Sequence, residues 1–459
     1  MLDLNFIRHN PDIIQKNNEN RGCTVSVEKI IELDSKRRDI IQKIDSLRQK
    51  MNSVTKGGKP RDEEIVRMKA LKEELKGYEQ SKKACEWSLN ILLTRLPNIT
   101  HESVPIGKSE EENVVYKKWS PEDSETGKIT APDFVVKRHW EIGQALDLID
   151  EERGEKVAGS RFWYLKNEFV TLEFALVQYA LSFLKKEGFI PMIPPIIVRE
   201  KAMYGTGFFP ADENEIYKLE NPEYEGVEAN KLHDARGKLA EEERNRKRNG
   251  TIPNWNDPDQ YLIGTAEVPL AAYHADDVLN LDKPLKYAGF SSCFRREAGT
   301  YGKDMKGILR GHQFDKIEMF VFTKKEDSWE CHEYLLSLAE KFWQSLGIPY
   351  RVMLMCSGDL GAANAKKYDI EAWFPGEGKY REVVSESNDT DFQARRMNIK
   401  YVAKNRSKEY VHTLNSTLIA IGRGLIALSE NYQTKDGEIT VPESLQPYTF
   451  GLEKISQEK

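Results

Sequence analysis

The sequence predicts an α+β protein in which an N-terminal antiparallel helical coiled-coil arm precedes a larger domain of mixed strands and helices. Apolar positions over residues 30–96 follow the 3-4 spacing that is typical of a coiled coil. Further along, strand-like runs occupy residues 287–294, 314–323 and 350–355. The 459 residues are 39% apolar and 31% charged, which is the composition of a charge-rich globular protein. No apolar run approaches the ~18 residues that a membrane-spanning helix needs, so we expect no membrane partner.

Two long helices form the predicted arm, separated by a break in the apolar pattern. The break contains Gly57, Gly58 and Pro60, residue types that reverse a chain. Each helix would hold roughly 27 to 33 residues, and the two lie so close in sequence that they are expected to form a hairpin. The seam positions are Ile30, Leu33, Ile40, Ile44, Leu47, Met51, Val54, Met68, Leu71, Leu75, Tyr78, Cys85, Leu89, Leu92 and Leu96, with Arg37 and Lys82 as interruptions.

Charge is distributed unevenly along the chain. The net charge of −6 taken alone argues against a nucleic-acid partner. Residues 28–96, however, hold 17 Lys and Arg against 12 Asp and Glu, so the arm carries +5 and the rest of the chain −11. A basic rod favours a polyanion as its partner. The alternative is a solvated coiled coil with ordinary charged flanks, and charge alone favours that alternative.

Residues 97–105 read as a linker, so we predict one domain over residues 1–105 and a second over residues 106–459. In the second domain, residues 168–187 are apolar almost all round, which predicts a helix buried in a core or in a dimer interface. Residues 189–198 contain three prolines and predict an extended edge segment. A late helix is predicted from near Asn415 to about Tyr432. Residues 220–256 are charge-dense and are interpreted as an insertion.

The five cysteines (Cys23, Cys85, Cys293, Cys331 and Cys356) are scattered and lack CxxC spacing. They fit reduced thiols in a cytoplasmic protein better than disulfides. Cys331 and His332 are adjacent but have no partners at zinc-ligand spacing, so no zinc site is predicted. The N-terminus carries an acid, Asp3, and no basic region, so we expect no signal peptide.

One constellation carries candidate chemistry. Arg295 follows a strand-like run, where its guanidinium is well placed to bind a phosphate. Strand alternation puts Phe314, Lys316 and Glu318 on one face, and Arg423 lies in an otherwise apolar stretch. Glu382 and Ser385, on a third strand-like stretch, are candidates for holding a divalent cation together with phosphate oxygens. Each fragment alone is equally consistent with structural ion pairs.

The combination resembles a family. Arg295-Arg296-Glu297, His312-Gln313-Phe314-Asp315-Lys316-Ile317-Glu318 and Asn415 with Gly422-Arg423 are similar to motifs 2 and 3 of class II aminoacyl-tRNA synthetases. Thr265-Ala266-Glu267, Asp391-Phe392-Gln393-Ala394-Arg395-Arg396 and His412-Thr413-Leu414-Asn415 resemble the seryl type, as do His139-Trp140-Glu141-Ile142-Gly143 and Gly159-Ser160-Arg161-Phe162. The resemblance covers essentially the whole chain, arm included.

This resemblance implies a fold and an activity. The larger domain would be a class II catalytic domain built on a mixed, mainly antiparallel β-sheet flanked by helices, and the arm would bind tRNA. Residues 168–198 would correspond to motif 1 and pair two subunits in a homodimer. The implied enzyme is a cytoplasmic serine–tRNA ligase that uses ATP and Mg²⁺ to attach L-serine to tRNA(Ser), contacting it through the arm and the motif 2 loop. Family members commonly charge tRNA(Sec) as well.

The resemblance also implies site residues. Arg295, Glu382 and Arg423 would be catalytic, and Glu382 and Ser385 would bind Mg²⁺ with ATP. ATP would be bound by Arg295, Arg296, Glu297, Gly311, Phe314, Glu382, Val383, Val384, Ser385 and Arg423. Serine would be bound by Thr265, Ala266, Glu267, Arg295, Glu318, Asn415 and Thr417.

Four positions depart from the family pattern. Gly264 and Gly311 stand where Pro and Val are common, which is expected to loosen the serine loop or the ATP pocket. Glu386 replaces a usual Cys, and Ser416 replaces a usual Gly. Because none of these changes removes a proposed ligand, the activity is still expected.

Two other functions were weighed against this one. A non-catalytic RNA-binding homologue would be favoured by loss of either Arg295 or Arg423, and both are present. A ligase that charges a carrier protein would lack the long arm, so residues 28–96 argue against it.

Overall fold

The computed structural model describes residues 1–54, 61–219, 252–257, 259–298, 304 and 306–457. The predicted turn of the arm and residues 220–251 of the predicted insertion lie outside the described residues. The described chain divides into two compact units. One contains residues 1–97 together with 252 and 253, and the other contains the remaining described residues from 98 onward. The predicted domain boundary after residue 105 stays a prediction.

The first unit is helical. Its helices are α1 (Leu4–His9), α2 (Pro11–Asn20), α3 (Val27–Val54) and α4 (Asp62–Arg95). Helices α3 and α4 are 28 and 34 residues long and run antiparallel. Arg48 of α3 forms an ion pair with Glu79, while the thiol of Cys85 donates to the carbonyl oxygen of Leu33. The predicted helical arm is therefore confirmed.

The apolar seam of the arm packs around Ile40, Ile44 and Cys85. Leu92, a predicted seam residue, is half-buried, as Leu33 and Leu75 are, and the neighbouring Leu93 is buried. Both residues fit between Leu89 and Leu96, with spacing 3-4 or 4-3, so periodicity alone does not distinguish them.

Arg37, which interrupts the seam, has a specific partner. Its guanidinium lies 2.8 Å from the carboxylate of Asp34, which is completely buried. Arg8 of α1 reaches the same carboxylate at 3.3 Å. Since a buried carboxylate needs partners of opposite charge, this cluster ties α1 to α3.

The second unit contains both strands and helices. In chain order these are β1 (Val114–Trp119), α5 (His139–Ala145), β2 (Ile149–Asp150), α6 (Glu151–Ala158), β3 (Tyr164–Leu165), α7 (Asn167–Lys186), β4 (Ile190–Met192), β5 (Ile197–Arg199), α8 (Glu200–Thr206), α9 (Phe208–Ala211), β6 (Gln260–Leu262), α10 (Glu267–Ala272), β7 (Val278–Leu279), β8 (Leu285–Phe294), β9 (Gln313–Thr323), α11 (Ser328–Ser345), β10 (Tyr350–Leu354), β11 (Lys366–Phe374), β12 (Lys379–Thr390), α12 (Phe392–Met397), β13 (Lys400–Val402), β14 (Lys408–Tyr410), β15 (His412–Ala420), α13 (Ile421–Asn431), β16 (Ile439–Thr440) and β17 (Lys454–Ile455).

An eight-stranded sheet organises this unit, with strand order β1-β10-β11-β12-β15-β9-β8-β4. Strand β4 runs parallel to β8 at one edge, and the other neighbouring strands of the sheet are antiparallel. One core cluster joins the sheet to α7, α11 and α13 through residues such as Leu176, Phe342, Leu425 and Ile317. The predicted α+β class with a mainly antiparallel sheet is confirmed.

Helix α7 is buried on one face only. Phe169, Leu172 and Leu176 are fully buried, whereas the side chain of Phe174 is 58% exposed. The edge strand that follows exposes Ile190. The helix predicted at residues 168–187 is therefore present, and it leaves an apolar face uncovered within this chain.

The predicted late helix begins too early. Asn415 lies in the central strand β15, and the helix starts only at Ile421. The cause is that β15 ends in Leu418, Ile419 and Ala420, which continue directly into the apolar sequence of the helix, so periodicity does not mark the boundary between them.

No helix within the described ranges is both long and apolar enough to cross a membrane. The five cysteines are free thiols, as expected.

Candidate active site

A cavity of about 280 Å³ opens where β8, β9, β12 and β15 meet the start of α13. Most of the predicted site residues line it: Thr265, Glu267, Arg295, Glu297, Gly311, Phe314, Glu318, Glu382, Val383, Ser385, Asn415, Thr417 and Arg423. Three do not. Val384 belongs to the main core, Ala266 belongs to a second core cluster, and Arg296 lies outside the lining.

Strand β9 places three side chains along the cavity. Phe314, Lys316 and Glu318 all line it, as strand alternation predicts. At the neighbouring strand end, Arg295 follows the last residue of β8, and its Nε donates to the carbonyl oxygen of Gly264 at 3.3 Å. Its guanidinium carbon lies 5.4 Å from the centroid of the Phe314 ring. A cation and an aromatic face therefore meet in one part of the cavity.

A β-bulge brings Glu382 to the cavity. The register of β12 against β11 pairs Val384 with Ile370 and Glu382 with Glu371, so β12 carries one extra residue there. In a regular strand, Glu382 and Ser385 would point to opposite faces because they are three residues apart. The bulge turns both toward the cavity.

Arg423 and Glu382 lie together at one end of the cavity, with Arg295 and Ser385 beside them. Arg423 is the third residue of α13, and its guanidinium donates to the carbonyl oxygen of Glu382 at 2.7 Å and lies 3.4 Å from its carboxylate. Burial alone would raise the pKa of Glu382. The positive charges of Arg423, Lys367 and Arg295 outweigh burial and hold this pKa below its usual range. An ionised carboxylate beside the hydroxyl of Ser385 offers the hard oxygen ligands that Mg²⁺ prefers.

Glu297 also lies on this side of the cavity. Its carboxylate accepts a hydrogen bond from the guanidinium of Arg310 at 2.7 Å. The backbone of Glu297 is in the left-handed region, with φ at 50°. This conformation changes the direction of its side chain relative to the strand β8, which ends just before it. An ion pair of this kind would hold Glu297 in a fixed position for a ligand.

The other end of the cavity is a largely buried polar cluster made of Thr265, Glu267, Lys316, Glu318 and Thr417. The ammonium of Lys316 lies 2.5 Å from Glu318 and 2.6 Å from the hydroxyl of Thr265. Burial, followed by the charges of Asp389 and Glu318, raises the pKa of Glu267 to about 8. The cluster is thus dense in charge and largely shielded from water.

Hydrogen bonds from neighbouring side chains hold this cluster in place. The amide nitrogen of Gln393 donates to Glu267 at 2.7 Å, and the amide nitrogen of Asn415 donates to Asp389 at 3.1 Å. The sequence predicted no site role for Lys316, Gln393 or Asp389. Gln393 lies within residues 391–396, and the resemblance of this stretch to the family could have indicated a role for it. Asp389 lies at a second bulge of β12, which the sequence does not reveal.

The expected loosening at Gly311 is wrong. A Cβ atom at this position would overlap the ring of Trp163, so the indole fills the space that a larger residue would occupy. At Gly264 a Cβ would meet its nearest neighbours at 3.5 Å, an ordinary contact, and the Gly264 carbonyl oxygen holds Arg295. Neither glycine leaves a gap in the cavity wall.

Glu386 and Ser416 form a cross-strand pair that does not line the cavity. The carboxylate of Glu386 lies 2.8 Å from Nδ1 of His332 on α11, and both side chains are fully buried. Burial raises the pKa of Glu386 well above its usual value and lowers that of His332 to about 3. The pair therefore stays neutral behind the sheet.

Comparisons with known proteins cover the whole chain. Residues 1–100 match the family model for the seryl-tRNA synthetase N-terminal domain, and residues 251–432 match the class II core domain of tRNA synthetases for G, H, P, S and T. Serine–tRNA ligase of Dictyoglomus turgidum is 42% identical, with all of both chains covered. That of Thermococcus onnurineus is 41% identical over 99% of this chain and 97% of the relative.

Solved structures agree with these matches. Seryl-tRNA synthetase from Pyrococcus horikoshii complexed with ATP superposes with a TM-score of 0.85 at 39% identity, and both chains are fully covered. Cytoplasmic serine–tRNA ligase from Naegleria fowleri in complex with AMP gives 0.80 at 34% identity, covering 100% of this chain and 99% of that one. The chain therefore belongs to the seryl-tRNA synthetase family of class II aminoacyl-tRNA synthetases.

Proposed function

We propose that this protein is a serine–tRNA ligase that activates L-serine with ATP and transfers the seryl group to the 3′ end of tRNA(Ser). The observation that carries the proposal is a single cavity with two chemically different ends. The end around Arg295, Arg423, Glu382 and Ser385, called here the phosphate side, suits a nucleoside triphosphate. The polar cluster of Thr265, Glu267, Lys316, Glu318 and Thr417, called here the serine side, suits a small polar amino acid. The relatives solved with ATP and AMP support the nucleotide assignment.

In the first step, the carboxylate of serine attacks the α-phosphorus of ATP. A bond forms between the carboxylate oxygen and phosphorus, the bond to the β-phosphate oxygen breaks, and pyrophosphate leaves. Because the attacking carboxylate is already an anion at neutral pH, no general base is needed. Catalysis then consists of positioning and charge stabilisation, which Arg295 and Arg423 would provide.

Mg²⁺ would be held by Glu382 and Ser385, where it would neutralise charge on the phosphates of ATP. Phe314 would stack on the adenine ring, and the backbone at Gly311 and the carboxylate of Glu297 would hold the nucleotide in place. The backbone of Arg296, Val383 and Val384 completes the proposed ATP contacts.

In the second step, a ribose hydroxyl of the tRNA attacks the carbonyl carbon of seryl-adenylate, and AMP leaves. Serine would be oriented by the carboxylates of Glu267 and Glu318 and by the polar groups of Thr265, Asn415 and Thr417, with the backbone at Ala266 beside it. A buried site that hydrogen-bonds a hydroxyl can reject an analogue without it by ~10⁴-fold, because its polar groups are then left unpaired.

Partners and location follow the family. The arm and the motif 2 loop would contact tRNA(Ser), and tRNA(Sec) would be charged as well. Exposed Phe174, Ile190 and Ile193 lie on α7 and around the edge strand β4, which supports a homodimer formed through this face. We place the enzyme in the cytoplasm, as for the Naegleria relative.

Serine-dependent ATP–pyrophosphate exchange with Mg²⁺ tests the first step. Aminoacylation of total tRNA with serine, threonine and alanine in parallel tests the second step and its selectivity. We expect exchange and charging with serine, and no serine-dependent exchange would disprove the assignment.

The role of the arm can be tested separately. A variant in which residues 28–96 are deleted should keep serine-dependent exchange, because no residue of the cavity lies in this segment. It should lose charging of tRNA. Retained charging would show that the arm is not the tRNA-binding element.

A further inference from the structure

Lys316 is a buried lysine within the cavity, and all of its polar contacts are with other cavity residues. Its ammonium lies 2.5 Å from Oε2 of Glu318, 2.6 Å from Oγ1 of Thr265 and 3.2 Å from Oγ1 of Thr417. Only 7% of its side chain is exposed. An ammonium group has three protons and no acceptor, so these three contacts use its whole hydrogen-bonding capacity. Lys316 therefore has no donor left for a substrate.

The direction of these hydrogen bonds fixes the two threonine hydroxyls. Because Lys316 can only donate, Thr265 and Thr417 must accept from it. The hydroxyl of Thr417 then donates to Oε2 of Glu318 at 3.1 Å. Oγ1 of Thr265 accepts a second hydrogen bond, from the backbone N–H of Glu267 at 3.2 Å. With both lone pairs of Thr265 in use, its remaining function is to donate its own proton.

Glu318 is fixed in the same way. Its contacts with Lys316 and Thr417 are both made at Oε2. Among the described residues, none is placed to donate to Oε1, which is left to accept from a bound group. The groups held by Lys316 thus offer one donor, Thr265, and one acceptor, Glu318. A substrate hydroxyl has both a proton to donate and lone pairs that accept.

We propose that Lys316 is a positioning residue that sets the proton directions of the serine side, so that Thr265 donates to the substrate hydroxyl and Glu318 accepts from it. This inference rests on the proposed function, since it assumes that serine is the amino acid bound. It assigns hydroxyl selectivity to a residue that does not itself contact the substrate.

The test compares serine with alanine in ATP–pyrophosphate exchange for the wild type and Lys316→Met. In the variant, both threonine hydroxyls are released to rotate, so KM for serine should rise. The serine-to-alanine ratio of kcat/KM should fall by about 10²-fold, since hydroxyl recognition depends on paired donors and acceptors. KM for ATP should stay within about threefold, because Lys316 has no contact with the phosphate side.

Lys366→Met is the matched control. Lys366 is also a buried lysine in an ion pair, with Glu333 at 3.0 Å, but it does not line the cavity. Its loss should leave the serine-to-alanine ratio unchanged.

Removing Lys316 leaves the carboxylate of Glu318 without its cation, which destabilises the fold. A second variant therefore keeps the proposal testable if Lys316→Met does not fold. Thr265→Val removes the hydroxyl that Lys316 orients, and it leaves no buried charge without a partner. It should lower the same ratio in a folded protein. An unchanged ratio in either folded variant, or a lower KM for serine in Lys316→Met, would overturn the proposal. Absence of serine activation in the wild type would instead refute the proposed function.

Discussion

The two ends of the cavity are built differently. On the serine side, Lys316 and Glu318 are almost completely buried and already paired with each other and with two hydroxyls. On the phosphate side, Arg423 and Glu382 form a looser contact at 3.4 Å, and about half of the Glu382 side chain is exposed. The serine side is therefore preorganised before substrate arrives, whereas the phosphate side keeps charges that ATP and a cation can take over. The contrast matches a small, fixed amino acid on one side and a flexible, solvated polyanion on the other.

The largest expected effect is on stability at the serine side. Glu318→Ala would leave the buried ammonium of Lys316 without its counter-charge, which typically costs about 3–5 kcal/mol. Glu382→Ala, at the partly exposed pair, should change the free energy of unfolding by less than about 1 kcal/mol. Urea denaturation of both variants measures this. Equal losses would contradict the contrast between the two ends.

The next effect is on the rate at the phosphate side. Arg423→Ala should lower ATP–pyrophosphate exchange by about 10²- to 10³-fold, because one charge contact in the transition state is lost. Stability should be nearly unchanged, as expected for a partly exposed ion pair. Arg351→Ala is the control, since Arg351 pairs with Glu371 outside the cavity. Unchanged exchange in Arg423→Ala would remove the assigned role.

The smallest effect is a pH dependence specific to the serine side. With a pKa of about 8, Glu267 binds a proton at neutral pH that the unfolded chain does not, so it favours folding below its unfolded pKa and loses this contribution as pH rises through 8. Serine binding has the opposite pH dependence, because the ammonium group of serine pairs with the ionised carboxylate of Glu267. KM for serine should fall by up to about tenfold per unit between pH 6.5 and 8, while KM for ATP should not follow.

Glu267→Gln tests the origin of this pH dependence. The variant should have a higher KM for serine and a flat profile over the same range. Gln393, Asp389, Glu318 and Lys316 surround residue 267 and are unchanged in the variant, so a pH profile that survives the substitution would point to one of these groups instead.

The sequence predicted most of the fold and many of the cavity residues, for identifiable reasons. The arm follows from a long 3-4 pattern, and Phe314 and Glu318 follow from alternation along β9. The resemblance supplied Thr265, Asn415 and Thr417, although periodicity placed Asn415 in a helix. Periodicity failed at β15 because its apolar end, residues 418–420, continues directly into the helix that follows.

Other features could not be predicted because they depend on long-range register. The bulge at Val383 sets the direction of Glu382 and is visible only once β11 and β12 are paired. The position of Lys316 between Thr265 and Thr417 joins three segments that are far apart in the chain. The pairing of Glu386 with His332 likewise needed the packing of α11 behind the sheet.

The contact between Trp163 and Gly311 has a consequence for how this sequence can change. Even alanine at position 311 would overlap the indole ring, so no side chain can be added there first. A path toward a larger residue at position 311 must begin at position 163 with a smaller residue, and the reverse path must begin at position 311. The order of substitutions at these two sites is therefore set by geometry, and both paths pass through the same intermediate, with glycine at position 311 and a small residue at position 163.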